Sequence, residues 1–207
     1  MNHLVVAWLV AGALVAETPP REVVQSAVSR VVAILGAEMP RPESERAGRR
    51  HDARRRAEIR RVALDLFDFD EVARRTLSRH WAGRSPAEQV EFVELFTDFL
   101  ERSYIGKIEA YSGERIVYPG ETVDGQHALV RSRIQAPKGE IALDYRLSLR
   151  DGRWRVYDVL INGISFVATY RTEFNRIIQL SSWAELIERL RKKRGEVAVV
   201  GRGDEGH

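Results

Sequence analysis

From Ile141 to Ile161, apolar and polar residues alternate on both sides of the pair Asp151-Gly152. A two-residue Asp-Gly loop between alternating runs is the strongest short signal of a β-hairpin, because the favoured turn needs two residues that tolerate positive φ. The loop also sets a register. Arg150 should face Arg153, Leu149 Trp154, Leu147 Val156, Tyr145 Asp158 and Leu143 Leu160. One face of the ribbon is then apolar, while the other carries Asp144, Arg146, Ser148 and Arg155. Such a face either packs against helices or lines a pocket, and that choice decides what the chain does.

Around the hairpin the pattern predicts an α+β domain. Pro19-Pro20 open a helix with Val23, Val24, Ala27, Val31 and Ile34 on one side, ending near Gly36. A charged loop over Glu38 to Gly48 leads into an Arg-rich helix that ends with Ile59, Val62, Ala63 and Leu66. Asp68 is placed to cap a short helix that ends at His80-Trp81. Ser85-Pro86-Ala87-Glu88 has the form of a capping box, and the helix behind it carries a wide apolar stripe of Phe92, Leu95, Phe96, Phe99, Tyr104 and Ile108. The strands expected are Ile116 to Tyr118, stopped by Pro119-Gly120, then His127 to Gln135, and the two arms of the hairpin. A helix from about Ser165 to Gln179 follows, and Ser182 with Glu185 opens a last one to Lys193. The expected architecture is helices packed on one highly twisted four-stranded antiparallel sheet. The sheet's greasy face is the obvious partner for the aromatic stripe.

The ends read differently from the middle. Leu4 to Val15 is almost wholly apolar, too short to span a membrane, and followed by Glu17-Thr18-Pro19-Pro20. That pattern reads as a secretory signal over residues 1–16, or else as a buried helix. Residues 17–194 then form the domain, and residues 195–207 a flexible tail whose Arg202-Gly203-Asp204 is a chance tripeptide. A net charge of +3 is modest for a chain with 33 basic and 30 acidic side chains. The basic excess gathers over Arg41 to Arg61, interleaved with acids, as a solvated helix face or a docking surface for an acidic partner. It lacks interleaved aromatics, which argues against nucleic acid.

Catalytic signatures are scarce. With no cysteine, thiolate chemistry and disulfides are excluded. The five histidines show no metal-binding spacing, and no phosphate loop, dinucleotide fingerprint or nucleophile elbow is present. His80 sits at a helix end, where it either bonds nearby carbonyls or serves as an acid/base group. Asp158, on the apolar face of the predicted register, is either bonded to Tyr145 or an arginine, or is a general base in a cone-shaped pocket.

Several segments, taken in order, carry a family resemblance. They are Phe67-Asp68-Phe69-Asp70-Glu71 through His80-Trp81, then Phe92 to Phe96 with Tyr104, then Tyr111 to Glu114. Asp144 to Leu147, Asp151 to Val159 and Asn162 to Phe174 complete the set. Over residues 20 to 193 the chain resembles the MlaC (toluene-tolerance) family of periplasmic phospholipid-binding proteins. The resemblance implies helices and a twisted sheet around a deep apolar cavity that holds acyl chains, with the headgroup near its mouth. It implies no enzyme and no cofactor. The implied partners are a phospholipid ligand, an inner-membrane ABC transporter with an MCE-domain component, and an outer-membrane lipoprotein complex. The residues it points to as the lining are Phe92, Phe96, Phe99, Tyr104, Val130, Leu143, Tyr145, Leu147, Trp154, Val156, Ile164, Phe166 and Val167, with about half expected to be plain core. Tyr145 and Asp158 would order the sheet, and Tyr170 and Arg171 would close the pocket or meet a partner. The alternative is a small enzyme on a similar cone-shaped fold, with Asp158 and His80 brought together.

Overall fold

The Asp151-Gly152 turn forms with both residues at positive φ, 50° and 70°. In this computed structural model, which describes residues 18–37, 45–137 and 139–200, the turn joins the central pair of an antiparallel sheet. The strands lie in sequence order: β1 (Arg115–Asp124), β2 (His127–Ala136), β3 (Gly139–Arg150), β4 (Arg153–Ile161) and β5 (Ile164–Ser165). The proposed signal, the Arg202-Gly203-Asp204 tripeptide and most of the loop after Gly36 lie outside the described residues.

Three strand expectations are corrected. β5 is an added fifth strand, made by a second tight turn at Asn162-Gly163, both again at positive φ. β1 does not stop at Pro119. It runs through Pro119-Gly120 with a register shift between Val117 and Gly120, on an edge strand where a missing N–H breaks no ladder. The hairpin register holds only from the turn to Leu147–Val156. Beyond it a bulge at Tyr157 shifts β4 by one residue, so Leu143 faces Ile161 and Tyr145 faces Val159. Asp158 now faces Arg146, on the sheet's polar side, and not Tyr145. A bulge is the usual device for re-aiming a side chain in a strand.

Among the described residues six helices frame the sheet: α1 (Pro20–Gly36), α2 (Glu45–Leu66), α3 (Phe69–Leu77), α4 (Pro86–Glu109), α5 (Phe166–Leu180) and α6 (Trp183–Val200), with a 3-10 turn at Ser78–His80. Asp68 caps α3 by accepting from the Glu71 N–H at 2.9 Å. The capping box of α4 is complete, with the Ser85 N–H donating to Glu88 Oε2 at 2.8 Å and the Glu88 N–H donating to Ser85 Oγ at 3.3 Å. Ser85→Ala should therefore cost about 1 kcal/mol in a denaturation midpoint. At α6 only half of the box forms. Ser182 Oγ accepts from the Glu185 N–H, while the Glu185 carboxylate binds Arg189 instead.

The core is divided in two. The apolar sheet face, with Ala128, Val130, Tyr145, Leu147, Trp154 and Val156, packs against Val24 and Ala27 of α1 and Val62 and Leu66 of α2. The aromatic stripe of α4 packs elsewhere, against α3, α5 and α6 through Val72, Leu77, Phe174, Ile177, Leu186 and Leu190. The expected meeting of stripe and sheet is thus overturned. The first two helices already occupy the sheet, and α5 and α6 carry apolar stripes of their own. The Arg-rich helix is also less solvated than expected, because three of its arginines tie α2 to α4. Arg55 and Arg56 bind Glu109, and Arg60 binds Asp98 and Glu101. The Arg56 bond comes first among the causes that hold the Glu109 carboxyl below its ordinary value.

Candidate functional site

The site begins with a column of rings. Phe92 and Phe96 are fully buried and stack at 5.5 Å between centroids, each meeting Phe174 edge-on. From Phe96 the contacts run outward through Phe99 and Tyr170 to Phe166, whose ring lies 4.6 Å from that of Tyr170 and 5.6 Å from that of Tyr104. Phe166, Tyr170 and Phe174 recur at four-residue spacing and so share one side of α5. Burial, and then a hydrogen bond with Tyr104, push the Tyr170 phenol above its ordinary range. Phe99, Tyr104, Phe166 and Tyr170 each keep some exposure, so the column is dry at one end and accessible at the other.

Along the chain, a single residue, Ser165, separates Phe166 of that column from Ile164 at the uncovered end of the sheet. Ile134 faces Ile141, Leu143 faces Ile161, and Ile161 faces Ile164, so these five share the apolar face. The helices α1 and α2 cover the other end, where Val130, Leu147 and Val156 have no exposure at all. Here Ile141 is 39% exposed, Ile161 38% and Ile164 68%. β5 leads directly into Phe166 at the start of α5, which joins the open end of the sheet to the ring column.

The expected lining residues therefore divide into two kinds. Phe92, Phe96, Val130, Tyr145, Leu147, Trp154, Val156 and Val167 are buried core. Phe99, Tyr104, Leu143, Ile164 and Phe166 remain partly accessible. The sequence reading did not single out Ile141 and Ile161 for this wall. Their alternation was visible, but how far the helices would cover the face was not.

Asp158 is only 3% exposed and fully engaged. It accepts from Arg146 Nη1 at 3.0 Å, the Ser165 hydroxyl at 2.7 Å and the Val167 N–H at 3.0 Å. It thus ties β3, β5 and the first turn of α5 to β4. His80 Nε2 lies 3.0 Å from Asn175 Oδ1, and the cleft that includes Asp158 does not include His80. The two groups share no partner, so the acid/base pair of the alternative reading is not assembled. A second cleft, of about 510 Å³, lies between α2, α3, α4 and β4 and mixes Phe67, Phe69 and Val93 with Arg60, Asp70, Glu94 and Arg155. Among the described residues no group of His, Asp and Glu is placed to hold a metal ion, and no helix is long and apolar enough to cross a membrane.

These features define an α+β protein whose helices cover one antiparallel sheet incompletely, leaving isoleucines of its apolar face exposed and four rings of α4 and α5 partly accessible. The family model described as MlaC protein matches residues 30–192, and the chain belongs to that family. It is 25% identical over 168 residues to the toluene tolerance protein ttg2D of Pseudomonas putida, over 80% of this chain and 75% of that protein. It is 19% identical over 173 residues to the intermembrane phospholipid transport system binding protein MlaC of Haemophilus influenzae, over 81% and 78% of the two chains. The phospholipid-binding protein of Ralstonia solanacearum, solved in complex with a phospholipid, has the same fold. Its TM-score is 0.75 at 22% identity, over 87% of this chain and 99% of that one.

Proposed function

We propose that this chain is a periplasmic carrier that holds phospholipid acyl chains and shuttles lipid between inner- and outer-membrane complexes, without catalysis. The observation that carries this reading is the uncovered end of the apolar sheet face, linked through β5 to the partly accessible rings Phe99, Tyr104, Phe166 and Tyr170 of α4 and α5. The names of the relatives, one for phospholipid transport and one for toluene tolerance, support it. Burying an acyl methylene contributes about 0.8 kcal/mol, so two chains represent roughly 20 kcal/mol, a barrier that free passage through water does not cross. A wall of rings and aliphatic side chains lowers that barrier, and a few polar contacts suffice for the headgroup.

In this reading residues 1–16 are removed on export and residues 17–194 form the carrier, with α6 running past that boundary to Val200 rather than giving way to the expected tail at 195. Phe99, Tyr104, Leu143, Ile164 and Phe166 contact acyl chains, and the deeper members of the lining, such as Phe92 and Leu147, shape the wall from behind. The partners are an inner-membrane ABC transporter with an MCE-domain component and an outer-membrane lipoprotein complex. Commitment of Asp158 to three structural bonds speaks for a carrier over an enzyme. Native mass spectrometry of the purified protein, followed by organic extraction, tests the reading. A released mass in the diacyl phospholipid range is expected. A protein that stays empty after incubation with liposomes would sink it.

A further inference from the structure

A cleft of about 440 Å³ opens between α3, the 3-10 turn, β4 and α5, and four arginines line it: Arg74, Arg75, Arg146 and Arg171. Three of them are held by buried carboxylates. Glu71 accepts from Arg74 through Nε at 2.7 Å and Nη2 at 2.6 Å, and from Arg75 Nε at 2.7 Å. Asp158 accepts from Arg146 Nη1. Arg75 is further fixed with its guanidinium 4.0 Å from the centre of the Tyr157 ring. These bonds use only part of each guanidinium fork, which has five N–H donors. Arg171, exposed on α5, has no partner among the described residues.

The charges do not balance. Four arginines meet Glu71 and Asp158, and the nearby Arg150 is matched by Asp68, so two positive charges are left over. Surface arginines ordinarily wave in solvent, at a cost in side-chain entropy when they bind. Here buried acids have already ordered three of them, which is how a site for a charged group is prepared in advance. Forks approaching one hollow from α3, β3 and α5 suit an oxyanion with several acceptor oxygens. The hollow is small, whereas a protein partner needs a face of about 800 Å² on each side.

We propose that this cleft binds a phosphate group, presented either by a lipid headgroup or by a free phosphate. The headgroup source rests on the carrier reading. It fits the layout of α5, where Val167 and Arg171 follow Phe166 and Tyr170 by one residue, about 100° around the helix. The arginine cleft and the ring column therefore flank the same first turns of α5.

Calorimetric titration of the purified protein at low salt with inorganic phosphate, sn-glycerol 3-phosphate and dihexanoylphosphatidylglycerol tests the site. The variant Arg171→Glu removes no contact of the fold. We expect at least the first two probes to bind the wild type and to bind Arg171→Glu at least about tenfold more weakly, as loss of one charge-assisted contact dictates. Arg171→Lys should retain most of the affinity. Protein preloaded with diacyl phospholipid from vesicles separates the sources. Loss of inorganic phosphate binding on preloading assigns the cleft to the headgroup, and its persistence assigns it to free phosphate. The site is overturned if no probe binds the wild type, or if the probes bind Arg171→Glu equally well. Phosphate binding that depends on Arg171, in a protein that never takes up phospholipid, would instead fail the carrier reading alone.

Discussion

Replacing Glu71 by Gln should lower stability by about 3 kcal/mol at pH 7, the cost of leaving buried charge without its partner. The Glu71 side chain is 1% exposed and collects three arginines, with Arg74 and Arg75 from its own helix and Arg150 from β3. Gln keeps the volume but removes the charge, and its amide group meets donors with donors. The Arg74 hydrogen bond, working against burial and helped by Arg75, holds the Glu71 carboxyl down at about 2, against an ordinary 4.5. A folded-state value below the unfolded one means that the stabilisation is complete above the unfolded value and disappears as pH falls through the folded one. The gap between wild type and Glu71→Gln should therefore be full above pH 5 and close progressively toward pH 2. Urea titrations at pH 7, 5, 4 and 3 measure it. Equal midpoints at pH 7, or a gap that ignores pH, would show that the arginine cluster does not depend on this carboxylate.

What could be read from the sequence was local. Asp151-Gly152, Ser85 with Glu88, and Asp68 each satisfy a turn or a helix end with their own side chain or backbone, and each does so in the structure. The features that were missed depend on distant partners. An apolar stripe says that a helix face is buried but not against what. Nothing in Phe92 or Phe96 tells that α1 and α2 already occupy the sheet. The bulge at Tyr157 leaves no mark in the alternation, because Asp158 bonds Arg146, Ser165 and Val167 only once the strand has shifted. β5 has two residues, too few for a pattern, although Asn162-Gly163 announces its turn. The spacing of Glu71 to Arg74 and Arg75 was visible in the sequence as a helical ion-pair pattern. What makes the cluster matter, the near-complete burial of Glu71 and its third arginine, Arg150 of β3, depends on residues far away in the sequence. The family resemblance carried the functional reading, and of the thirteen residues it pointed to, Phe99, Tyr104, Leu143, Ile164 and Phe166 keep some exposure.

Tyr104→Glu should abolish phospholipid loading while leaving the fold in place. Tyr104 is only partly buried, lies within α4 and meets Phe166 and Tyr170 at the accessible end of the ring column. Glu is a good helix former, and at this position it has Lys107 three residues on, which already lies over the Tyr104 ring. The helix therefore tolerates the change. The acyl chains would not, because a carboxylate placed against them must give up water that apolar chains cannot replace. A penalty of about 3 kcal/mol corresponds to roughly a hundredfold loss of affinity. Tyr104→Phe, which keeps the ring and loses only the hydroxyl, should carry lipid as the wild type does. The comparison needs the phospholipid extracted per mole of each protein, with circular dichroism and the melting temperature to confirm folding. A folded Tyr104→Glu protein that retains lipid at wild-type stoichiometry would move the acyl chains away from α4. Phe166 of α5 and the uncovered isoleucines of β3, β4 and β5 would then be left to hold them.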